Sequence, residues 1–177
     1  TKMATVYANP DKAEELKRLN DQFGDQADTF LGNLDKLDEF EELAVDFQGD
    51  ATKMATVFAN PDKAEELKRL NDQFGDQADI FLGNLDKLDE FEELASDFGN
   101  DPTKKATVFA NPEKADELKR LNDLHPGKED LFLGNLDSVD MIDGESGYID
   151  LLVSDADLFM DVKAVDPDRQ NLPPGLL

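Results

Sequence analysis

Phe81-Leu82-Gly83-Asn84-Leu85-Asp86-Lys87-Leu88-Asp89-Glu90-Phe91-Glu92-Glu93-Leu94-Ala95-Ser96-Asp97-Phe98 is the stretch that decides the fold. Placed on a helix, Phe81, Leu85, Leu88, Phe91, Leu94, Ala95 and Phe98 gather on one broad side. Asp86, Asp89, Glu90, Glu93 and Asp97 gather on the other. The pattern predicts an amphipathic helix running from about Asp76 to Phe98 and ended by Gly99. Gly83-Asn84 marks a kink, a close helix contact or a break, and a break gives four helices where three are otherwise expected.

Two more helices precede it. The first covers roughly Thr52 to Ala59, with Met54, Val57 and Phe58 at i, i+3 and i+4. Asn60-Pro61 then opens the second, Asn as the cap for orphan N–H groups and Pro with its preset φ. Ala64, Leu67, Leu70 and Phe74 line one face of that helix, Glu65 and Arg69 pair on another, and Gly75 is its expected stop.

The same block occurs one period upstream. Residues 1–47 align with 52–98 at an offset of 51 and differ only at Tyr7/Phe58, Thr29/Ile80 and Val45/Ser96. A third copy starts at Thr103, drifts around Leu124-His125-Pro126-Gly127, recovers Phe132-Leu133-Gly134-Asn135-Leu136-Asp137 and then departs. A fixed period near this length signals a tandem array. The expected organisation is repeat 1 at 1–51, repeat 2 at 52–102, a partial repeat 3 at 103–137 and a divergent segment at 138–177. That last segment is read as an irregular C-terminal cap or the start of a further domain. A unit of this size is marginal alone without disulfides or metals, which favours stacked repeats over separate three-helix bundles. The linkers Gln48-Gly49-Asp50-Ala51 and Gly99-Asn100-Asp101-Pro102 are turn-sized rather than tether-sized. The expected fold class is therefore all-α, with the repeats stacked as a short α-solenoid.

Composition narrows the function. Among 177 residues, 42 acidic against 18 basic side chains leave a formal charge of −24, which repels nucleic-acid phosphates and anionic membranes. No apolar run is long enough to span a bilayer. With no Cys, thiol nucleophiles and Cys-based metal sites are excluded, and the single His125 excludes two-His motifs within the chain. No phosphate-cradling Gly loop or Gly-x-Ser-x-Gly elbow is present, and the acids recur identically from copy to copy instead of converging on one pocket. The chain is not expected to be an enzyme.

One metal site is worth naming. Asp137, Asp140, Asp143, Glu145, Asp155, Asp157 and Asp161 crowd a turn-rich segment, and hard cations such as calcium take oxygens from flexible loops. An EF-hand register fails there. With Gly147 and Ile149 in their places, the first and twelfth positions fall on Ile142 and Val153. The acidic faces Asp35/Asp38/Glu39/Glu42 and Asp86/Asp89/Glu90/Glu93 are candidates for a basic protein partner or for divalent cations. The reading favoured by the whole sequence is a piece of a longer tandem-repeat protein, a spacer or interaction scaffold flanked by neighbouring repeats. Near-identical copies and extendable length suit a cell-surface or extracellular setting.

The face assignment makes a direct prediction. Phe74→Ala or Leu88→Ala should lose roughly 2–5 kcal/mol in chemical denaturation, as buried large-to-small changes do. Asp89→Ala should stay within about 0.5 kcal/mol; a severe Asp89→Ala would invert the assignment.

Overall fold

Each long helix among the described residues starts with a pair of acids and buries a stripe of residues spaced three and four apart. In α2 (Ala13–Gln22) the buried residues are Leu16 and Leu19; in α4 (Leu37–Asp46) they are Leu37, Phe40, Leu43 and Ala44. The stripe recurs in α6 (Ala64–Phe74) as Ala64, Leu67, Leu70 and Asn71, in α8 (Leu88–Asp97) as Leu88, Phe91, Leu94 and Ala95, and in α10 (Ala115–Leu124) as Ala115, Leu118, Leu121 and Asn122. The paired acids, Glu14-Glu15 or Asp38-Glu39 for example, sit in the first turn, where the helix dipole favours negative charge.

Shorter helices alternate with these. They are α1 (Lys2–Ala8), α3 (Ala27–Gly32), α5 (Ala51–Ala59), α7 (Ala78–Gly83), α9 (Pro102–Phe109) and α11 (Glu129–Gly134). The structure is a computed structural model that describes residues 2–99 and 101–139. Among the described residues there is no strand, and the fold class is all-α, built of tandem helical repeats.

The expected third helix is divided. The chain leaves α7 at Asn84 (φ −137°, ψ 51°), makes a 3-10 turn over Leu85–Lys87 and begins α8 at Leu88, so each full repeat has four α-helices. Asn84 causes the break by a bond of its own, its Nδ2 donating to the carbonyl of Ile80 at 2.8 Å. The same bond closes the other short helices, from Asn9 to Thr5, Asn33 to Thr29, Asn60 to Thr56, Asn111 to Thr107 and Asn135 to Leu131, at 2.7–2.9 Å. Asn60 thus serves the helix behind it rather than the one ahead. A 3-10 turn, Pro61–Lys63, separates it from the start of α6, and its side chain makes no capping bond there. Gly75 does follow the last residue of α6 as its C-cap, but not through left-handed backbone. Its φ is −52°, and the chain turns one residue earlier, at Phe74 (φ −140°, ψ 48°).

The 3-10 joints reveal a finer period. Asn60-Pro-Asp-Lys-Ala-Glu-Glu-Leu and Asn84-Leu-Asp-Lys-Leu-Asp-Glu-Phe occupy the same joint, with matching Asn torsions and matching side-chain bonds. Each repeat is therefore two related halves, a short helix, an Asn joint and a long helix in each.

Contacts divide the chain into two units, Thr1–Asp89 and Glu90–Leu177, the division falling inside α8. In the first unit the long helices form a row, α2 against α4 and α4 against α6, with α3 packed on α2 and α7 on α6. The short helices line up alongside, α1 with α3 and α5 with α7. In the second, α11 packs on both α9 and α10. Leu88 is fully buried and meets the condition for a large truncation loss, whereas Phe74 is only half-buried and belongs at the low end of that range.

Between repeats the chain turns through left-handed backbone. Gln48 has φ 54° and Gly49 φ 69°, while Gly99, the counterpart of Gln48, has φ 56°. A side chain in this region is strained, and repeat 2 already uses glycine there. Gln48→Gly should raise the unfolding free energy by about 0.5–1 kcal/mol in urea denaturation. An unchanged or lowered value would show that the turn is not strained.

Candidate functional site

The chemistry of this chain is concentrated where one repeat meets the next. α5 brings Phe58 to the centre of an aromatic cluster contributed by repeat 1. Its ring lies 5.2 Å from Phe23, 5.0 Å from Phe30 and 5.3 Å from Phe40, all edge-on at 69–85°. Edge-to-face geometry places the positive rim of one ring against the negative face of another. The junction recurs in the second unit. Phe91 and Phe109, one period on from Phe40 and Phe58, meet edge-on at 5.4 Å and 79°.

Charges frame the apolar contact. Glu42 on α4 pairs with Lys68 on α6 at 3.1 Å, and in the second unit Glu93 on α8 pairs with Lys119 on α10 at 3.0 Å. Each of these lysines also holds an aspartate one turn along its own helix, Asp72 or Asp123. Lys36 reaches Glu65 at 3.2 Å, and the Lys53 ammonium stands 5.5 Å over the Phe47 ring. Within a repeat, Arg18 grips Glu41 through two bonds of 2.7 and 2.8 Å, a fork that fixes orientation as well as charge. Lys12–Asp38 and Lys63–Asp89 repeat one contact in successive copies, at 3.0 and 3.3 Å.

Ionisation follows the pairing. Partial burial works against the charge of Lys68, but its bonds to Asp72 and Glu42 prevail and hold its pKa above the ordinary lysine value. The Asp123 bond, aided by Glu93, does the same for Lys119. Hydrogen bonds from Lys36 to Glu65 and from Arg18 to Glu41 raise those two as well. Asp50 moves the other way. Its carboxylate accepts the N–H groups of Lys53 and Thr52 at the start of α5, and these bonds lower its pKa.

A buried amide completes each junction. Asn71 and Asn122 occupy the same place on α6 and α10, each nearly sealed from solvent. Asn122 donates to Asp97 at 2.9 Å, whereas neither polar atom of the Asn71 amide has a hydrogen-bond partner, although Asp46 stands one period before Asp97.

The acidic faces read from the sequence are partly consumed by these pairs. Asp38, Glu42, Asp89 and Glu93 each hold a lysine from a neighbouring helix, whereas Asp35 and Asp86 are exposed on the 3-10 joints. Of the calcium candidates, Asp137 lies exposed in the turn Leu136–Ser138; Asp140, Asp143, Glu145, Asp155, Asp157 and Asp161 fall outside the described residues. Among the described residues no group of three or more His, Asp or Glu side chains is placed to hold a metal ion, and no helix is long and apolar enough to cross a membrane. His125 stands where repeats 1 and 2 have Phe23 and Phe74, edge-on to Phe132 at 5.9 Å. No known family model, curated protein or solved structure matches the chain. The arrangement is equipped for helix-to-helix docking, by aromatic interlock and charge registration.

The interlock is only half legible in the sequence. Helical spacing assigned the phenylalanines to a core, but the partners of Lys12, Lys53, Lys63 and Lys104 lie 26 residues away, beyond any single-helix rule. The shared interval of those four pairs is the signal that would have found them.

Asp50 gives a pH test. A carboxyl whose folded pKa is depressed stabilises the fold above its unfolded value, near 3.8, and loses that contribution as pH falls through the lower folded value. Asp50→Asn keeps a capping oxygen but not the charge. Wild type should be the more stable at neutral pH, and the gap should close between about pH 5 and pH 2 in thermal melts. A pH-independent gap would rule out the charge as its source.

Proposed function

We propose that this chain is a non-catalytic structural module, a tandem array of helical repeats that acts as a spacer or interaction scaffold within a longer repeat protein. The observation that supports this most is the recurrence of one junction. Phe40–Phe58 with Glu42–Lys68 and Phe91–Phe109 with Glu93–Lys119 have the same residue types at the same spacing, with ring centroids 5.3 and 5.4 Å apart and ion pairs at 3.1 and 3.0 Å. A unit that docks on its neighbour by a fixed junction can be added or removed without redesign, and length becomes a free variable. Extreme negative charge keeps such an array self-repelling and soluble.

A second reading draws on a separate observation. The middle position of successive 3-10 joints carries an exposed acid, Asp11, Asp25, Asp35, Asp62, Asp76 and Asp86. Such a recurring series suits a binding module for divalent cations such as calcium or for a basic protein. Loose capture by surface carboxylates needs no enclosed site.

Deleting residues 52–102 and melting both chains with and without calcium tests the two together. For the spacer, the shortened chain should still unfold in one transition at a lower Tm, and millimolar calcium should shift neither chain beyond a salt control of equal ionic strength. A calcium-specific rise of several degrees would favour the cation reading. Collapse of the shortened chain into an unfolded state would contradict interchangeable modules.

A further inference from the structure

Repeat 1 and repeat 2 have nearly the same sequence but present one face in two different states. In repeat 2, Met54, Val57, Leu67 and Asn71 on α5 and α6 are buried, in the two helices against which α4 packs. Their counterparts in repeat 1 are Met3, Val6, Leu16 and Asn20. Met3 is 57% exposed where Met54 is 0%, and Tyr7 is 76% exposed where Phe58 is 4%. Met3, Val6, Leu16, Asn20 and Phe30 line an open groove of about 340 Å³.

We propose that this groove is the receptor for the last helix of another copy of the repeat, seated as α4 is seated on α5 and α6. The proposal rests on the tandem-array reading and extends an interface already present in both units. The occupant is defined by chemistry. It must bring an edge-on phenylalanine to the aromatic ring at position 7, small and branched apolar groups to Met3 and Leu16, and a carboxylate to Lys17. The sequence Leu37-Asp-Glu-Phe-Glu-Glu-Leu-Ala-Val-Asp-Phe47 supplies all of these in its junction with repeat 2, where its Glu42 meets Lys68. Lys17, the counterpart of Lys68, bonds Asp21 on its own helix and is 75% exposed, so the second carboxylate that Lys68 enjoys has an open place beside it. A second whole chain is a poorer occupant, because its α4 and the second-unit part of its α8 are already engaged with the following repeat in each case.

Methionine oxidation reads the face directly. Residues 1–51 are fused ahead of Thr1, both chains are treated with dilute hydrogen peroxide, and the rate at each methionine is followed by peptide mapping. In the unextended chain Met3 should oxidise rapidly and Met54 slowly. In the extended chain the methionine at the new junction should slow by roughly tenfold or more, toward the rate of Met54. Circular dichroism establishes whether the added copy is folded. An unchanged Met3 rate beside a folded added copy would overturn the docking proposal and leave the array intact. Rapid oxidation of Met54 in the unextended chain would instead overturn the array reading itself. Protection of Met3 in the unextended chain that grows with protein concentration would make a second chain the occupant and overturn the choice made here.

Discussion

The structure depends on one shared aromatic ring. Phe58 belongs to repeat 2 by sequence, yet the rings around it, Phe23, Phe30 and Phe40, all belong to repeat 1. Phe30, Phe40 and Phe58 are all buried where the two copies meet, and edge-to-face pairs contribute about 0.5–1.5 kcal/mol each beyond area burial. Stability is thereby lodged in the junction rather than in the unit. This explains how a cysteine-free segment of such modest length is kept ordered.

Charge follows from that placement. With 42 acids against 18 basic residues, most carboxylates cannot be neutralised, so where the cations are placed matters more than how many there are. Several of them are placed between helices. Lys36, Lys68 and Lys119 cross from one repeat or helix row to the next, while Lys53 and Lys104 tie short helices together through Asp79 and Asp130. Individually such exposed pairs stabilise little. Their physical effect is to relieve like-charge repulsion at the seams and to penalise any docking that sets acid against acid.

Reading the sequence alone recovered the helical class, the period and the buried face, because those rest on spacing within one helix. Leu88, Phe91 and Leu94 were assigned to the core and are fully buried. Two features escaped. Asn60 before Pro61 reads as a cap for the helix ahead, although an asparagine has both an acceptor and a donor and here uses the donor on the helix behind. The kinship of Asn60-Pro-Asp-Lys with Asn84-Leu-Asp-Lys was hidden because Pro and Leu differ in every propensity scale yet fill the same joint. The candidate binding surface was legible only as acidic stripes, since what pairs Asp38 or Glu42 is set by packing between helices.

The near identity of repeats 1 and 2 leaves their docking helices with no chemical label for order. The docking stripe Leu37, Phe40, Leu43, Ala44 and Phe47 is the same, residue for residue, as Leu88, Phe91, Leu94, Ala95 and Phe98. Either helix would find the same valine and phenylalanine on the α5 face (Val57, Phe58) and on the α9 face (Val108, Phe109), the two faces differing where the buried Met54 is replaced by Lys105. What selects the right neighbour is the brief loop Phe47-Gln48-Gly49-Asp50, which holds consecutive copies at an effective concentration in about the millimolar range. Sequential order is thus enforced by tethering, and a cut in that loop would turn an ordered series into a set of interchangeable parts.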